Sequence, residues 1–269
     1  MPARPRPCLP VSPGRLKIHD NTFMTSSSSL ADDPLALIVI NGIGLVSSFD
    51  HLWKKAKITV CADGGANKLY DHIQKDSMTR TYVPQYIKGD LDSIRPDVAS
   101  YFETLGTQVI KDPDQDSNDL DKCLSLLQNL QEEFKATEAS NTPAKLNVLV
   151  IGAMGGRFDQ EMQNVNALFQ WSSIFDRMTL VSDSTSATLL VPGKHSIRPN
   201  FTVEGRTCGL VPIGGPCKSL TTSGLKWNLT NHETFFGGLV STSNHVLGDE
   251  VLVETSDPLV WTTELKTEE

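Results

Sequence analysis

A pair of aspartates separated by one residue forms the first cluster of side chains that could do chemistry. They are Asp90 and Asp92 in the segment GDLDS, residues 89–93, which follows a short apolar run. If this turn curls, both carboxylates can reach one hard cation such as Mg²⁺, which combines a few carboxylates with water and phosphate oxygens. An exposed turn in which Asp92 or Ser93 caps the next helix has the same pattern. The motif alone therefore leaves both interpretations open.

A second acidic segment, DQDSND, covers residues 114–119. Acidic side chains interact favourably with the N-terminal dipole of a helix, and Asp116 or Ser117 could be an N-cap. A helix cap explains one or two of the aspartates but not the whole segment. A metal site and a cap remain equal alternatives.

A third motif, GAMGGRFDQ, covers residues 152–160. Its glycines allow backbone N–H groups to approach a phosphate at a helix start. Arg157 offers a fork of donors for phosphate oxygens. A tight turn with Arg157 paired to an acid is the alternative, but an arginine that balances an acidic region favours phosphate binding.

Apolar runs precede these motifs and predict buried parallel strands. The predicted strands are 35–40, 57–62, 82–87, 107–110, 147–151 and 178–181, and periodic spacing predicts helices over 117–134 and 158–170. Alternating strands and helices indicate an α/β fold with a parallel sheet. Ligands of such sheets bind beyond the carboxyl ends of the strands, where the aspartates of the three motifs and Asp63 lie.

The pattern changes after about residue 183, where short β-prone runs alternate with Gly and Pro turns. These runs are 187–191, 195–203, 207–213, 218–223, 238–242 and 250–254. They predict a smaller antiparallel sandwich or barrel. Within it, Trp227 lies among small polar residues and could stack on a planar or cationic ring. Taken by itself, this stretch favours a core or edge position in the β domain, which is the commoner fate of a tryptophan.

The chain thus divides into a predicted disordered N-terminal extension at 1–33, an α/β nucleotide domain at 34–182 and an all-β sandwich domain at 183–269. The extension is predicted from five prolines before residue 14 and a serine run at 26–29.

Composition excludes several classes of protein. The net charge of −8 argues against a nucleic-acid partner, and no apolar run reaches the ~18–20 residues of a membrane-spanning helix. The five cysteines are odd in number and form no CxxC pair, so we expect a reducing, cytoplasmic location rather than a disulfide framework.

Taken together, the motifs closely resemble eukaryotic thiamine pyrophosphokinase, also called thiamine diphosphokinase. The matching segments are CADGGANKLYD (61–71), IKGDLDSIRP (87–96), DPDQDSNDLDKC (112–123), GGRFDQ (155–160), TTSGLKWNLTN (221–231) and LVSTSN (239–244). The resemblance implies Mg²⁺-dependent transfer of the diphosphate of ATP to the hydroxyl of thiamine, giving thiamine diphosphate and AMP. It also implies a homodimer with active sites at the subunit interface.

The resemblance assigns roles to individual residues. Asp90, Asp92 and Asp119 are the implied Mg²⁺ ligands, and Arg157 and Asp159 lie at the reacting end. The implied nucleotide-side residues are Asp63, Gly64, Gly65, Asn67, Gln115 and Asp116. The implied thiamine-side residues are Ser223, Leu225, Trp227, Ser241 and Asn244.

Two other functions use the same residues. A metal-dependent nucleotide phosphohydrolase would need the aspartates but no aromatic acceptor site. A non-catalytic nucleotide- or thiamine-binding module would bind ligand without turnover. The proton acceptor for the thiamine hydroxyl also stays open between Asp119 and Asp159.

Overall fold

The computed structural model describes residues 16–21, 34–42, 48–75, 82–137 and 145–266, without the side chains of 135–137. Its strands are β1 (Leu16–Asp20), β2 (Leu35–Val39), β3 (Ile58–Ala62), β4 (Tyr86–Gly89), β5 (Gln108–Lys111), β6 (Asn147–Ile151), β7 (Arg177–Val181), β8 (Thr185–Leu190), β9 (Gly193–Arg198), β10 (Glu204–Val211), β11 (Cys217–Ser223), β12 (His232–Thr234), β13 (Ser241–His245), β14 (Val251–Thr255) and β15 (Leu259–Leu265). Its helices are α1 (Phe49–Lys55), α2 (Gly65–Lys75), α3 (Pro96–Thr104), α4 (Asp119–Thr137) and α5 (Phe158–Gln170).

The chain forms two compact units. One contains the described residues within 32–167 and 174–183, and the other contains the described residues within 1–31, 168–173 and 184–269. Each unit has its own class of fold, an α/β unit and a β-rich unit.

The α/β unit is built on six parallel strands in the order β7-β6-β2-β3-β4-β5. All side chains of β2 and β3 are buried, as expected for apolar runs covered on both faces of a parallel sheet. Each fully buried aliphatic side chain contributes about 1.5–3 kcal/mol. Helix α4 packs against β3 and β4 and thereby places its first turn near the ends of these strands.

One strand of this unit begins later than predicted. The expected strand 82–87 is wrong at its start, because β4 covers only Tyr86–Gly89. Pro84 has no N–H to donate to a ladder, which ends the pairing before it reaches Tyr82. The Tyr82 ring instead packs edge-on against Phe49, with ring centroids 5.4 Å apart.

The β-rich unit contains two groups of strands. One is the sheet β1-β9-β14-β11-β12, and the other is the antiparallel array β13-β10-β15-β8. A common apolar core takes side chains from both groups, including Ile197 and Val253 from the first and Leu210 and Trp261 from the second. This is the arrangement of a β-sandwich. Strands β12 and β15 were not among the predicted runs.

The N-terminal segment corrects a prediction. Residues 1–33 were expected to be disordered, but Leu16–Asp20 form β1, which pairs in parallel with β9. The buried rings of His19 and His195 join the two strands, with Nε2 of His19 3.0 Å from Nδ1 of His195. The prediction rested on prolines at 2–13 and serines at 26–29, and those residues lie outside the described ranges.

Helices long and apolar enough to cross a membrane are absent from the described part of the chain. Its cysteines, Cys61, Cys123, Cys208 and Cys217, are buried and free.

Candidate active site

The turn after β4 brings the two aspartates of the GDLDS motif together. Leu91, between them, has φ of +64°, in the left-handed region that side chains other than glycine rarely adopt. Ligand oxygens of Asp90, Asp92 and Asp63 all lie within 4.8 Å of one another. The curl that the metal-site interpretation required is therefore present, at the carboxyl edge of the parallel sheet.

Asp63 fixes this turn by accepting hydrogen bonds from its backbone. It follows β3, is fully buried, and accepts the backbone N–H of Ile94 on Oδ1 at 2.8 Å and that of Ser93 on Oδ2 at 3.2 Å. Burial raises the pKa of the Asp63 carboxyl, and these two donors oppose the rise. Both oxygens are thus engaged by the backbone of the GDLDS turn.

Asn67 holds the same turn from the first helical turns of α2. Its side-chain amide donates to the carbonyl of Ser93 at 2.9 Å and accepts the N–H of Arg95 at 3.0 Å. Asp63 and Asn67 were predicted to contact the nucleotide. In the structure both side chains instead bond to the backbone of the turn and so fix it beside Asp90 and Asp92.

Two glycines permit this close packing. A Cβ on Gly89 would lie 2.6 Å from the Asp63 Cβ and 3.0 Å from Oδ1 of Asp119. A Cβ on Gly65 would lie 2.1 Å from the carbonyl oxygen of Val39. Neither clash could be relieved by rotating a flexible side chain. Glycine at position 89 therefore lets the Asp63 and Asp119 carboxylates lie close to the end of β4, and glycine at position 65 lets the start of α2 lie close to the end of β2.

The acidic segment 114–119 contributes to the same place. Asp119 is the first residue of α4, half-buried, and burial raises the pKa of its carboxyl while the nearby Lys122 ammonium lowers it. The Gln115 amide donates to Oδ2 of Asp90 at 3.3 Å, and this bond lowers the Asp90 pKa. The predicted N-cap at Asp116 or Ser117 is wrong, because Asn118 directly precedes α4 and its Oδ1 accepts the Asp121 N–H at 2.8 Å. Asp114 accepts the Asp116 N–H at 3.0 Å and the Ser117 hydroxyl at 2.7 Å within the loop.

Lys122 lies at the base of this group. Its Nζ is 3.4 Å from Oδ1 of Asp119 and 3.8 Å from Oδ2 of Asp90, and the residue is 3% exposed. Lys88, in contrast, binds Asp112 at 3.0 Å. The carboxylate cluster is defined here as Asp63, Asp90, Asp92 and Asp119.

The donor set of this cluster suits a hard divalent cation. Its carboxylate oxygens come from the ends of two strands and the start of a helix. Asp90 and Asp119 are half-buried and Asp92 is exposed, so all three can be reached by a cation. Mg²⁺ prefers such oxygens together with water and phosphate. Asp63 is the least available member, because both of its oxygens already accept backbone N–H groups.

The predicted pair at the start of α5 is exposed and internally bonded. Arg157 donates Nε–H to Oδ1 of Asp159 at 3.1 Å and a terminal N–H to Oδ2 at 2.5 Å. This bond lowers the pKa of the Asp159 carboxyl. Of the two predicted proton acceptors, Asp159 is thus already bonded to a guanidinium in this structure.

The predicted thiamine-side residues of the β-rich unit converge on one segment. Trp227 is 56% exposed, whereas Asn244 is 4% exposed and binds the Trp227 backbone through both its side-chain atoms. The Asn244 amide also lies 3.4 Å from the Ser241 hydroxyl. Ser223 is exposed at the end of β11, and the Leu225 side chain is buried in the core.

Sequence reasoning did not identify Asn228 as a site residue. Its side chain accepts the Leu225 N–H at 3.1 Å and donates to the Leu225 carbonyl at 2.8 Å, so it closes the turn that contains Trp227. An asparagine shortly after a glycine is a local sequence signal for a turn that is closed by side-chain-to-backbone hydrogen bonds.

Known protein families match both units. The family "Thiamin pyrophosphokinase, catalytic domain" matches residues 49–181, and "Thiamin pyrophosphokinase, vitamin B1 binding domain" matches residues 194–260. The first match includes the carboxylate cluster, and the second includes Trp227 and Asn244.

Relatives and solved structures agree with these matches. The chain is 43% identical over 225 residues to Thiamine pyrophosphokinase 1 of Oryza sativa subsp. japonica, covering 80% of this chain and 81% of the relative. It is 39% identical over 258 residues to Thiamine pyrophosphokinase 2 of Arabidopsis thaliana, covering 93% of each. The crystal structure of yeast thiamin pyrophosphokinase superposes with a TM-score of 0.81 at 26% identity, over 96% of this chain and 95% of that one. The chain therefore belongs to the thiamine pyrophosphokinase family of enzymes.

Proposed function

We propose that this protein transfers the diphosphate of ATP to the hydroxyl of thiamine, forming thiamine diphosphate and AMP. The observation that carries the proposal is the carboxylate cluster, whose Asp63, Asp90 and Asp92 oxygens converge to within 4.8 Å inside the segment that matches the catalytic domain. Membership of the family supplies the substrate class.

In this reaction the thiamine hydroxyl gives its proton to a base and its oxygen attacks the β-phosphorus of ATP. The bond between the α,β-bridging oxygen and the β-phosphorus breaks, and AMP leaves. Phosphoryl-type transfer depends on positioning and charge neutralisation rather than on a covalent enzyme intermediate. Bound Mg²⁺ supplies positive charge to the phosphate oxygens, and Asp90, Asp92 and Asp119 are the residues that would hold it.

The other residues of the α/β unit have roles that follow from their contacts. Asp63 and Asn67 fix the turn that presents Asp90 and Asp92. Gln115 and Asp116 lie exposed in the same acidic loop. We assign them to the nucleotide side together with the buried Gly64 and Gly65. Arg157 binds phosphate oxygens when a phosphate displaces Asp159 from its guanidinium.

On the β-rich unit, Trp227 offers an aromatic face to the thiamine rings. Thiamine carries a cationic thiazolium, and a cation over an indole face is attracted by the ring quadrupole. The indole already has this contact with Lys226, whose Nζ is 4.7 Å from the ring centroid. Ser223, Ser241 and Asn244 lie in the segments around it, and Asn244 sets the position of the Trp227 backbone.

We also propose that the enzyme is a homodimer with its active sites at the subunit interface. The exposed apolar side chains of the β-rich unit support this, since Phe236 and Leu247 are 62% and 61% exposed in addition to Trp227. Large exposed apolar groups commonly mark an interaction surface. Sedimentation equilibrium tests the dimer, and a monomer at micromolar concentration would refute it.

The test of the activity is a reaction with ATP, Mg²⁺ and thiamine, resolved by chromatography. We expect AMP and thiamine diphosphate in equal amounts, and neither product when one substrate or the metal is left out. AMP without a thiamine product would indicate the phosphohydrolase instead. Binding of both substrates without turnover would indicate the binding module.

A further inference from the structure

Lys122 is a buried cation that the proposed reaction does not use. It lies three residues after Asp119 in the first turn of α4, so both side chains lie on one face of the helix. Its Nζ contacts Oδ1 of Asp119 at 3.4 Å and Oδ2 of Asp90 at 3.8 Å, and its side chain is 2% exposed. The ammonium therefore joins two predicted metal ligands that come from different elements of the fold.

Burial makes this position costly unless the charge is paired. A buried ammonium loses its hydration and must recover that loss from opposite charges and hydrogen bonds. Within the described ranges, the ion pairs of both Asp90 and Asp119 go to Lys122. The neighbouring Lys88 points to Asp112 at 3.0 Å and is not part of this group.

Charge balance shows what Lys122 does for the cluster. One ammonium faces four carboxylates, those of Asp63, Asp90, Asp92 and Asp119. The group therefore carries a net negative charge even with Lys122 present. Without a cation the carboxylates repel one another and favour arrangements in which they separate. Gln115 adds a neutral donor to Asp90 but no charge.

We infer that Lys122 is a positioning residue, a built-in counter-cation that keeps Asp90 and Asp119 together while no metal ion is bound. The inference rests on the proposed function in one respect, namely that Mg²⁺ binds the carboxylate cluster. It follows that Lys122 and the metal ion supply the same kind of charge. Lys122 preserves the metal-free site and also weakens metal binding by repulsion.

The experiment compares thermal unfolding of the full-length wild-type protein and Lys122→Met, with and without Mg²⁺. Without divalent cations we expect the variant to melt several degrees lower. Added Mg²⁺ should then raise the Tm of Lys122→Met by more than it raises that of the wild type, because a ligand stabilises the folded state by RT ln(1 + [L]/Kd), which grows as Kd falls. Electron paramagnetic resonance of Mn²⁺ should show a Kd lower by about tenfold in the variant, the order that Coulomb's law gives for removing a neighbouring positive charge.

Gln131→Met is the matched control. Gln131 is buried on the same helix, where it accepts the Leu146 N–H at 2.7 Å and donates to the Ile174 carbonyl at 3.3 Å. This variant should also lower the Tm, but its Mg²⁺-induced shift should equal that of the wild type. Lys122→Arg retains the charge and should restore the wild-type shift. Lys122→Gln provides the same comparison if the methionine variant cannot be purified.

An equal or smaller Mg²⁺-induced shift in Lys122→Met and Lys122→Gln would overturn the inference. A shift in Gln131→Met as large as that in Lys122→Met would do the same, since it would show a general effect of lost stability. Asp92→Asn separates this from failure of the proposed function. If Asp92→Asn leaves Mn²⁺ binding unchanged, the metal site itself is misplaced. If it abolishes binding while Lys122→Met has no effect, only the role of Lys122 is refuted.

Discussion

Asn244 binds both backbone polar groups of Trp227: its Oδ1 accepts the Trp227 N–H at 3.2 Å, and its Nδ2 donates to the Trp227 carbonyl at 2.9 Å. A buried amide thus fixes the backbone of an exposed indole. The fold fixes the main chain of Trp227 while its side chain faces solvent, so the exposed position of the indole is structurally defined.

Replacing Trp227 by alanine should impair the use of thiamine and leave that of ATP unchanged. The indole is exposed, so its removal leaves no core cavity and should cost little stability. We expect the KM for thiamine to rise by about 5- to 30-fold, as for the loss of a partly desolvated cation–π contact worth about 1–2 kcal/mol. Steady-state kinetics with each substrate varied in turn measure this. Trp171→Ala, at a buried tryptophan, is the contrast and should lower stability by about 3–5 kcal/mol. An unchanged thiamine KM in Trp227→Ala would contradict the role of the indole.

Replacing Asn244 by alanine should have a similar kinetic effect through the backbone of Trp227. Its loss leaves the Trp227 N–H and carbonyl without these bonds, at a cost of about 1–3 kcal/mol in stability. We expect a higher KM for thiamine, an unchanged KM for ATP, and a lower urea midpoint. Asn166→Ala removes an exposed asparagine of α5 and should change neither KM. If Asn244→Ala lowers stability without affecting the thiamine KM, the link from Asn244 to the ligand fails.

Replacing Asp63 by asparagine should damage the metal-binding turn although the volume is conserved. Asp63 accepts two backbone N–H groups, from Ser93 and Ile94, and an amide would point its own N–H₂ at one of them. An unsatisfied buried donor costs about 1–3 kcal/mol. We expect lower stability and a higher Mg²⁺ requirement, measured by urea unfolding and by activity against Mg²⁺ concentration. Asp97→Asn, at an exposed position in the first turn of α3, is the control and should behave as the wild type. Wild-type Mg²⁺ dependence in Asp63→Asn would refute the positioning role.

The His195 imidazole should make stability depend on pH between about 7 and 5. Its Nε2 lies 2.7 Å from the Val191 carbonyl, which can only accept, so Nδ1 accepts from His19 in the neutral ring. Burial lowers the pKa of His195 below its ordinary value. The unfolded chain then takes up a proton near pH 6.5 that the folded chain takes up only at lower pH, so stability is full above pH 6.5 and falls as the pH decreases.

The check is the free energy of unfolding of the wild type and His195→Gln at pH 7 and pH 5. The glutamine variant should lose less stability than the wild type over this interval, because it has no imidazole to titrate. Equal losses in the two proteins would show that His195 does not contribute. The same measurement tests the attachment of β1, since His19 joins that strand to β9 through this bond.

Much of the α/β unit could be predicted because its signals are local. Continuous apolar runs predicted β2, β3 and β6 to within a residue or two, and the periodic segment 158–170 is α5 as expected. β15 was missed although Leu259, Trp261, Thr263 and Leu265 alternate on its buried face, because Thr263 interrupts the apolar pattern. β1 could not be predicted, since a five-residue strand flanked by proline- and serine-rich sequence depends on pairing with β9, far along the chain.

In the site, too, features set by local sequence could be predicted and features set by tertiary packing could not. The convergence of Asp90 and Asp92 was predictable from a GDxD turn that follows a strand, and the structure has the required curl at Leu91. The task of Asp63 was not, because a strand-end carboxylate has the same sequence signal whether it faces a nucleotide or two backbone N–H groups. The contact of Lys122 with both Asp90 and Asp119 depends on how α4 packs against β4, which is a tertiary feature.

The most direct test of the central claim is ³¹P NMR of the reaction of ATP, Mg²⁺ and thiamine, run with the wild type and with Asp92→Asn. For the wild type we expect the resonances of AMP and of thiamine diphosphate to grow at equal rates, with no inorganic phosphate or ADP. Loss of a catalytic metal ligand should reduce both rates by several orders of magnitude in Asp92→Asn. ADP with thiamine monophosphate would contradict diphosphate transfer, and equal rates in the two proteins would contradict its location at the carboxylate cluster.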